Sequence, residues 1–240
     1  MQIAGLNKTT LLDYPEHVAA TIFTTGCNFH CHFCHNPDLV VGKINKHELI
    51  NEYEIFEFLK KRKNVLTGVC ISGGEPTIQA DLEDFIRKIM ELGYLVKLDT
   101  NGYKPEVLKN LLNENLLDYI AMDIKNTKEK YNLTIGFENL AHNHVPHKKF
   151  SLENIEKSIE LIKQSGITHE FRTTVVKELH TEIDLIEIGN WINGSNWYMQ
   201  SFEDNGNVLV PGYTPYSNAE FIMIYENLIE QGITVKIRTA

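Results

Sequence analysis

Positive charge is in short supply in this chain. Its 240 residues carry 23 Lys and Arg against 32 Asp and Glu, a formal net charge of −9. A non-specific nucleic-acid binder needs a basic surface for the phosphates, so the balance argues against that class. Long hydrophobic runs are also missing, and none reaches the roughly 20 apolar residues that cross a bilayer as a helix. The N-terminus, Met1-Gln2-Ile3-Ala4-Gly5, lacks the basic-then-apolar layout of a signal peptide. The expectation is a cytoplasmic protein with neither a membrane nor a nucleic-acid partner. Cysteine is scarce, with four in all. In a reducing compartment they read as ligands or core fillers rather than disulfides. No internal repeat or low-complexity segment is visible, and a hydrophobic content of 42% is enough for a full core.

What is there is concentrated. Three of the four cysteines crowd into Cys27-Asn28-Phe29-His30-Cys31-His32-Phe33-Cys34. Thiolates this close hold a metal or an iron–sulfur cluster. A four-iron cluster normally takes four cysteines, so three would leave one iron open to a ligand that is not protein. The competing reading is a zinc site of three cysteines and one of His30, His32 or His35. Cys70 lies between Val69 and Ile71 and reads as a small core residue. As a fourth ligand it would instead make the chain an iron–sulfur electron carrier.

Short apolar runs alternate with amphipathic stretches along the chain. Strands are expected at Val18–Thr25, Thr67–Ser72, Tyr94–Asp99, Asp118–Lys125, His169–Val176 and Trp197–Phe202, with a closing strand at Thr234–Ile237. Val69-Cys70-Ile71 and Ile120-Ala121-Met122 are apolar on both faces, which suits parallel strands covered on both sides. Leu49, Tyr53, Phe56 and Leu59 recur at helical spacing, as do Leu82, Phe85, Ile86 and Ile89. Asp81 is placed to cap the second of these helices and Gly93 to end it. Pro105 suits a helical first turn. Later helices are expected over Leu152–Lys163, Thr181–Trp191 and Asn218–Glu230. Six strand–helix units fall short of a complete eight-unit barrel. The fold class is therefore α/β, a partial (β/α)6 barrel of parallel strands. The chain reads as one domain over residues 1–240, with an N-terminal extension at 1–17 and a long polar loop at 126–150.

The residues with chemistry fall at the C-terminal ends of these strands, the rim on which such barrels build sites. Gly73-Gly74-Glu75-Pro76 would let a small ligand approach bare backbone, with the Glu75 carboxylate offered to a positive group. Asp99 and Asp123 end neighbouring strands, so a cation, an ammonium or Lys125 is expected between them. Lys125 and Arg172 suit either a ligand carboxylate or salt bridges to those same acids. His142, His144 and His147 read as solvated surface. Tyr213 and Tyr216, beside Pro211 and Pro215, read as a partner-facing loop.

Cys27-x3-Cys31-x2-Cys34, with Phe33 before the last cysteine and Gly-Gly-Glu-Pro downstream, resembles the radical S-adenosylmethionine superfamily. Lys8-Thr9-Thr10-Leu11-Leu12-Asp13-Tyr14-Pro15 and Cys34-His35-Asn36-Pro37 narrow the likeness to the anaerobic ribonucleoside-triphosphate reductase activating proteins, relatives of pyruvate formate-lyase activating enzyme. The resemblance implies a radical SAM core in which Cys27, Cys31 and Cys34 hold a [4Fe-4S] cluster whose open iron chelates S-adenosylmethionine. It implies Phe33 near the adenine, and Gly73, Gly74 and Glu75 at the methionine ammonium. Asp99, Thr100 and Asp123 resemble a monovalent-cation site beside the cofactor, with Lys125 and Arg172 as its basic residues. A histidine makes the ribose contact in that relative, where this chain has Gln200. The implied activity is reductive cleavage of S-adenosylmethionine to a 5′-deoxyadenosyl radical. That radical takes a hydrogen from a glycine of a partner enzyme, and a flavodoxin- or ferredoxin-type donor supplies the electron. A small-molecule enzyme such as 7-carboxy-7-deazaguanine synthase shares the superfamily motifs.

Overall fold

The computed structural model describes residues 1–40, 44–137, 150–204 and 206–238. His142, His144 and His147 lie outside the described residues.

Eight strands form one sheet in sequence order: β1 (Ile3–Thr10), β2 (Ala19–Thr24), β3 (Gly68–Gly73), β4 (Leu95–Thr100), β5 (Tyr119–Asp123), β6 (Thr168–Val175), β7 (Trp197–Ser201) and β8 (Lys236–Arg238). From β2 to β8 every pairing is parallel. Between these strands lie α1 (Pro37–Val40), α2 (Glu52–Arg62), α3 (Leu82–Glu91), α4 (Pro105–Asn113), α5 (Tyr131–Thr134), α6 (Leu152–Ser165), α7 (Glu182–Trp191) and α8 (Asn218–Glu230). The architecture is α/β with six strand–helix units and a closing strand, as the alternation of apolar runs implies.

One strand is unexpected. β1 pairs antiparallel with β2 at the sheet edge, inside what reads as an N-terminal extension. Its sequence, IAGLNKTT, is half exposed and mostly polar at its end, so it carries no strong apolar signal. The segment after it closes the N-terminal end of the barrel. Tyr14 is buried, its ring 5.9 Å from that of Tyr119, and Asp13 accepts a hydrogen bond from Thr21. A Cβ on Gly68 would stand 2.7 Å from Tyr14 Cδ1, so β3 must start with a bare backbone there.

The helices fold for the reasons visible in their spacing. α3 buries Leu82, Phe85, Ile86 and Ile89, and Gly93 follows it with a φ of +82°. Asp81 occupies the N-cap position, but its side chain caps nothing. Its carboxylate pairs with the N-terminal ammonium instead. α2 buries Ile55 and Leu59, while Leu49 precedes the helix and Tyr53 faces solvent. α7 and α8 open with capping boxes at Thr181 with Asp184 and at Ser217 with Glu220. Among the described residues no helix is long and apolar enough to cross a membrane.

Candidate functional site: a charged rim cavity beside three thiols

Parallel strands in register deliver their last residues to the same level. Asp99 pairs with Ala121, Asp123 with Arg172, and Thr174 with Gln200. The result is a rim cavity of about 870 Å³. Its walls include Cys27, Cys31, Phe33, Cys34, Gly73, Gly74, Glu75, Asp99, Thr100, Asp123, Lys125 and Arg172, together with Gln200. The residues named as candidate cluster and cofactor ligands thus line one cavity.

The cysteine loop is held from three sides by backbone. Glu75 N–H donates to Gly26 O (2.8 Å), and Gly74 N–H donates to Thr24 O (2.9 Å). On a second side, His30 N–H donates to Ile135 O (2.9 Å). On the third, Leu209 N–H and Val210 N–H donate to Cys34 O and His32 O (3.3 and 2.9 Å). Tyr213 belongs to this last strap, its hydroxyl 2.8 Å from His32 Nδ1. Tyr216 donates to His180 O at 2.7 Å. Both hydroxyls hold the chain itself, while Pro211 and Pro215 beside them are exposed.

Gly73 and Gly74 are required by close approach. Gly73 has a φ of +121°, and a Cβ there would lie 2.2 Å from Thr24 N. On Gly74 it would lie 1.9 Å from Gly26 O. Glu75, offered in the sequence reading to a ligand ammonium, is buried and already engaged. Its Oε1 accepts from Thr77 N–H (3.0 Å), Thr77 Oγ1 (2.6 Å) and Thr100 Oγ1 (2.8 Å), and its Oε2 from Asn101 N–H (2.7 Å). Three of the four donors meet Oε1 and one meets Oε2, which keeps one lone-pair direction. Glu75 and Thr100 therefore clamp the Gly-Gly loop to the end of β4.

The two strand-end acids are bridged by Arg172. Its Nε donates to Asp123 at 2.8 Å and its Nη1 to Asp99 at 3.1 Å. Lys125 pairs with Asp123 at 2.9 Å, and Lys97 pairs with Asp99 from below. The guanidinium takes the position expected for a cation, an ammonium or Lys125. Burial pushes the Asp123 carboxyl up, but Arg172 and Lys125 outweigh it and hold it well below the usual range. Asp99 is likewise held down, by Arg172 and Lys97 against burial. Deeper in the barrel, Arg238 grips the buried Glu170 with two bonds of 2.7 and 2.6 Å. Lys97, Glu170 and Arg238 carried no signal in the sequence, because a lone charge in a strand normally marks the solvent face.

The donor set bears on what the cysteines hold. Burial pushes the Cys31 thiol up to about 11, with Lys125 pulling the other way. A bound metal removes such protons outright. A zinc site needs its sulfurs about 4 Å apart around one ion, given Zn–S bonds of ~2.3 Å. Among the described residues no group of three or more His, Cys, Asp or Glu is gathered to hold a single ion. Asn28 Nδ2 is buried with no partner beside Cys27, a donor left over for acceptors such as sulfide. Cys70 is fully buried with Lys97 Nζ 3.9 Å from its sulfur, and it does not line the cavity. It belongs to the barrel interior and supplies no fourth ligand to the rim.

The model of the radical SAM superfamily matches residues 21–192. The chain belongs to the radical SAM superfamily, whose members bind a [4Fe-4S] cluster and S-adenosylmethionine. It is 32% identical over 203 residues to a Methanocaldococcus jannaschii protein named "Putative glycyl-radical enzyme activating enzyme", covering 84% of this chain and 80% of that one. Its fold is similar to a radical SAM methyltransferase from Sphaerobacter thermophilus, with a TM-score of 0.70 at 12% identity, covering 94% of this chain and 67% of that one. It is also similar to Streptococcus suis SuiB bound to its precursor peptide SuiA, with a TM-score of 0.68 at 13% identity. The match covers 92% of this chain and 48% of SuiB, so the chain spans about half the length of that protein.

Proposed function

We propose that the chain is a glycyl-radical enzyme activase, and that its partner is an anaerobic ribonucleoside-triphosphate reductase. The observation that carries this reading is the meeting of three free thiols and a charged ladder in one rim cavity. Cys27, Cys31 and Cys34 hold the [4Fe-4S] cluster. Bound there and reduced, the cluster and S-adenosylmethionine together supply a 5′-deoxyadenosyl radical. The protein's own residues seat and shield the cofactor.

Lys125 and Arg172 receive the methionine carboxylate, since both face the cavity with donors in place. The backbone of Gly73 and Gly74 receives the ammonium, while Glu75 and Thr100 hold that backbone in position. Asp99 and Asp123 orient Arg172 and Lys125 and keep both charged. Phe33 is buried at the cavity wall, its ring edge-on to Phe202 at 6.3 Å, and offers a flat face to the adenine. Gln200, near the end of β7, lines the same cavity. The activase reading draws on the 32% identical relative, and the reductase partner on Lys8–Pro15 and Cys34–Pro37. A flavodoxin- or ferredoxin-type protein is the proposed electron donor.

The test is anaerobic incubation with S-adenosylmethionine, a reductant and candidate reductases, read by electron paramagnetic resonance. A glycyl doublet on a reductase is expected. If 5′-deoxyadenosine forms and no candidate gains a radical, the activase reading fails and small-molecule radical chemistry takes its place.

A further inference from the structure

Asn101 is the point where the three loops of the rim are tied together. It follows β4 and is 5% exposed. Its backbone N–H donates to Glu75 Oε2 at 2.7 Å, and its Oδ1 accepts from Tyr103 N–H at 3.0 Å. That leaves the two hydrogens of Nδ2. One is directed to Asn28 Oδ1 at 2.8 Å, and the other to Cys27 Sγ at 3.9 Å. The Phe29 backbone N–H approaches the same sulfur at 3.4 Å. Cys27 is therefore a sulfur with two N–H donors around it, one of them a side chain brought from another strand.

We propose that Asn101 is a positioning residue that sets the reduction potential of the cluster through its amide contact to Cys27. This rests on the reading of Cys27 as a cluster ligand. Adding an electron to an iron–sulfur cluster increases the negative charge on its ligating sulfurs. An N–H aimed at such a sulfur stabilises the reduced state more than the oxidised one, and raises the potential. A hydrogen bond to a charged group is stronger than one to a neutral group, and a long N–H···S contact falls at the weak end of that class. In this protein the same amide also fixes Asn28 Oδ1. Its orientation is thus set before the cluster arrives, which is what a tuning contact requires.

The experiment uses the reconstituted full chain in an anaerobic redox titration, followed by electron paramagnetic resonance of the reduced cluster. Asn101→Leu removes both Nδ2 donors without adding charge. At a fixed applied potential its reduced-to-oxidised ratio is expected to fall about tenfold, a shift of ~59 mV to lower potential for one electron. Asn101→Gln keeps an amide and should recover part of the shift. If Asn101→Leu does not fold, Asn101→Ser carries the same prediction. Its hydroxyl can still accept from the Tyr103 amide but is too short to reach Cys27. A purely structural role would lower the melting temperature of these variants and leave the potential of the intact cluster unchanged. That result, with full iron content, overturns the proposal. Cys27→Ala separates the two levels. Loss of iron in that variant supports the ligand reading, whereas retention of four irons overturns both.

Discussion

Glu75 shows how a residue at a binding loop can serve the fold. Its carboxylate holds two backbone N–H groups and two hydroxyls. Glu75→Ala would leave the amides of Thr77 and Asn101 buried without acceptors, at about 1–3 kcal/mol each. For a chain of this size each kcal/mol lowers the melting temperature by roughly 2–4 °C, so the two amides together are expected to lower the melt of the ligand-free variant by roughly 4–24 °C by calorimetry. A residue that only met the cofactor would leave that melt unchanged. Asp99 and Asp123 give a second residue-scale prediction. Their carboxyls are held below the usual range in the folded protein, so the unfolded chain binds protons first as pH falls. The stability they contribute is complete above about pH 4 and is lost as the pH drops through their depressed values. Ligand-free Asp123→Asn should be clearly less stable than wild type to urea at pH 6. That gap should narrow steadily toward pH 2.

At the scale of elements, the Gly-Gly turn and the cysteine loop behave as one unit. Gly74 touches no thiol, yet a Cβ on it would press on the carbonyl of Gly26, the residue before Cys27. Backbone cannot yield as a side-chain tip can. Gly74→Ala is therefore expected to lower the iron bound per chain after anaerobic reconstitution by at least half, while the circular dichroism of the barrel is kept. Full iron loading would show that the two loops are independent. The elements were also unequally legible. α3 could be read because its apolar stripe and the glycine that ends it agree, although Asp81 does not cap it. β1 could not, because an edge strand with one exposed end has no need of apolar alternation. The periodic set at Leu49, Tyr53, Phe56 and Leu59 pointed to the right helix, with Leu59 buried and Phe56 packed against the core, but Tyr53 faces solvent. Ile55 outcompetes Tyr53 for the core, since tyrosine tolerates solvent at its hydroxyl.

Over the whole molecule, the open barrel converts a linear series of strand-end motifs into one cavity. That conversion is why the site was readable in the sequence: parallel strands in register place successive C-terminal residues on a single rim. Cys27, Gly73, Asp99, Asp123 and Arg172 could be grouped from order alone. The partners they choose could not be. Arg172 lies between the two aspartates because β6 brings it level with Asp123, and Lys97 supports Asp99 from two residues deeper on the same strand. Neither fact leaves a local signature, and the same holds for Asn101, whose amide reaches back 74 residues to Cys27. The proposed chemistry depends on three thiols holding a cluster with one iron left for S-adenosylmethionine. The most direct measurement is the electron paramagnetic resonance spectrum of the reduced, reconstituted protein, recorded without and with S-adenosylmethionine. A four-iron signal whose g-values change when the cofactor is added is the predicted result. An iron-free protein, or a cluster spectrum indifferent to the cofactor, would contradict the account.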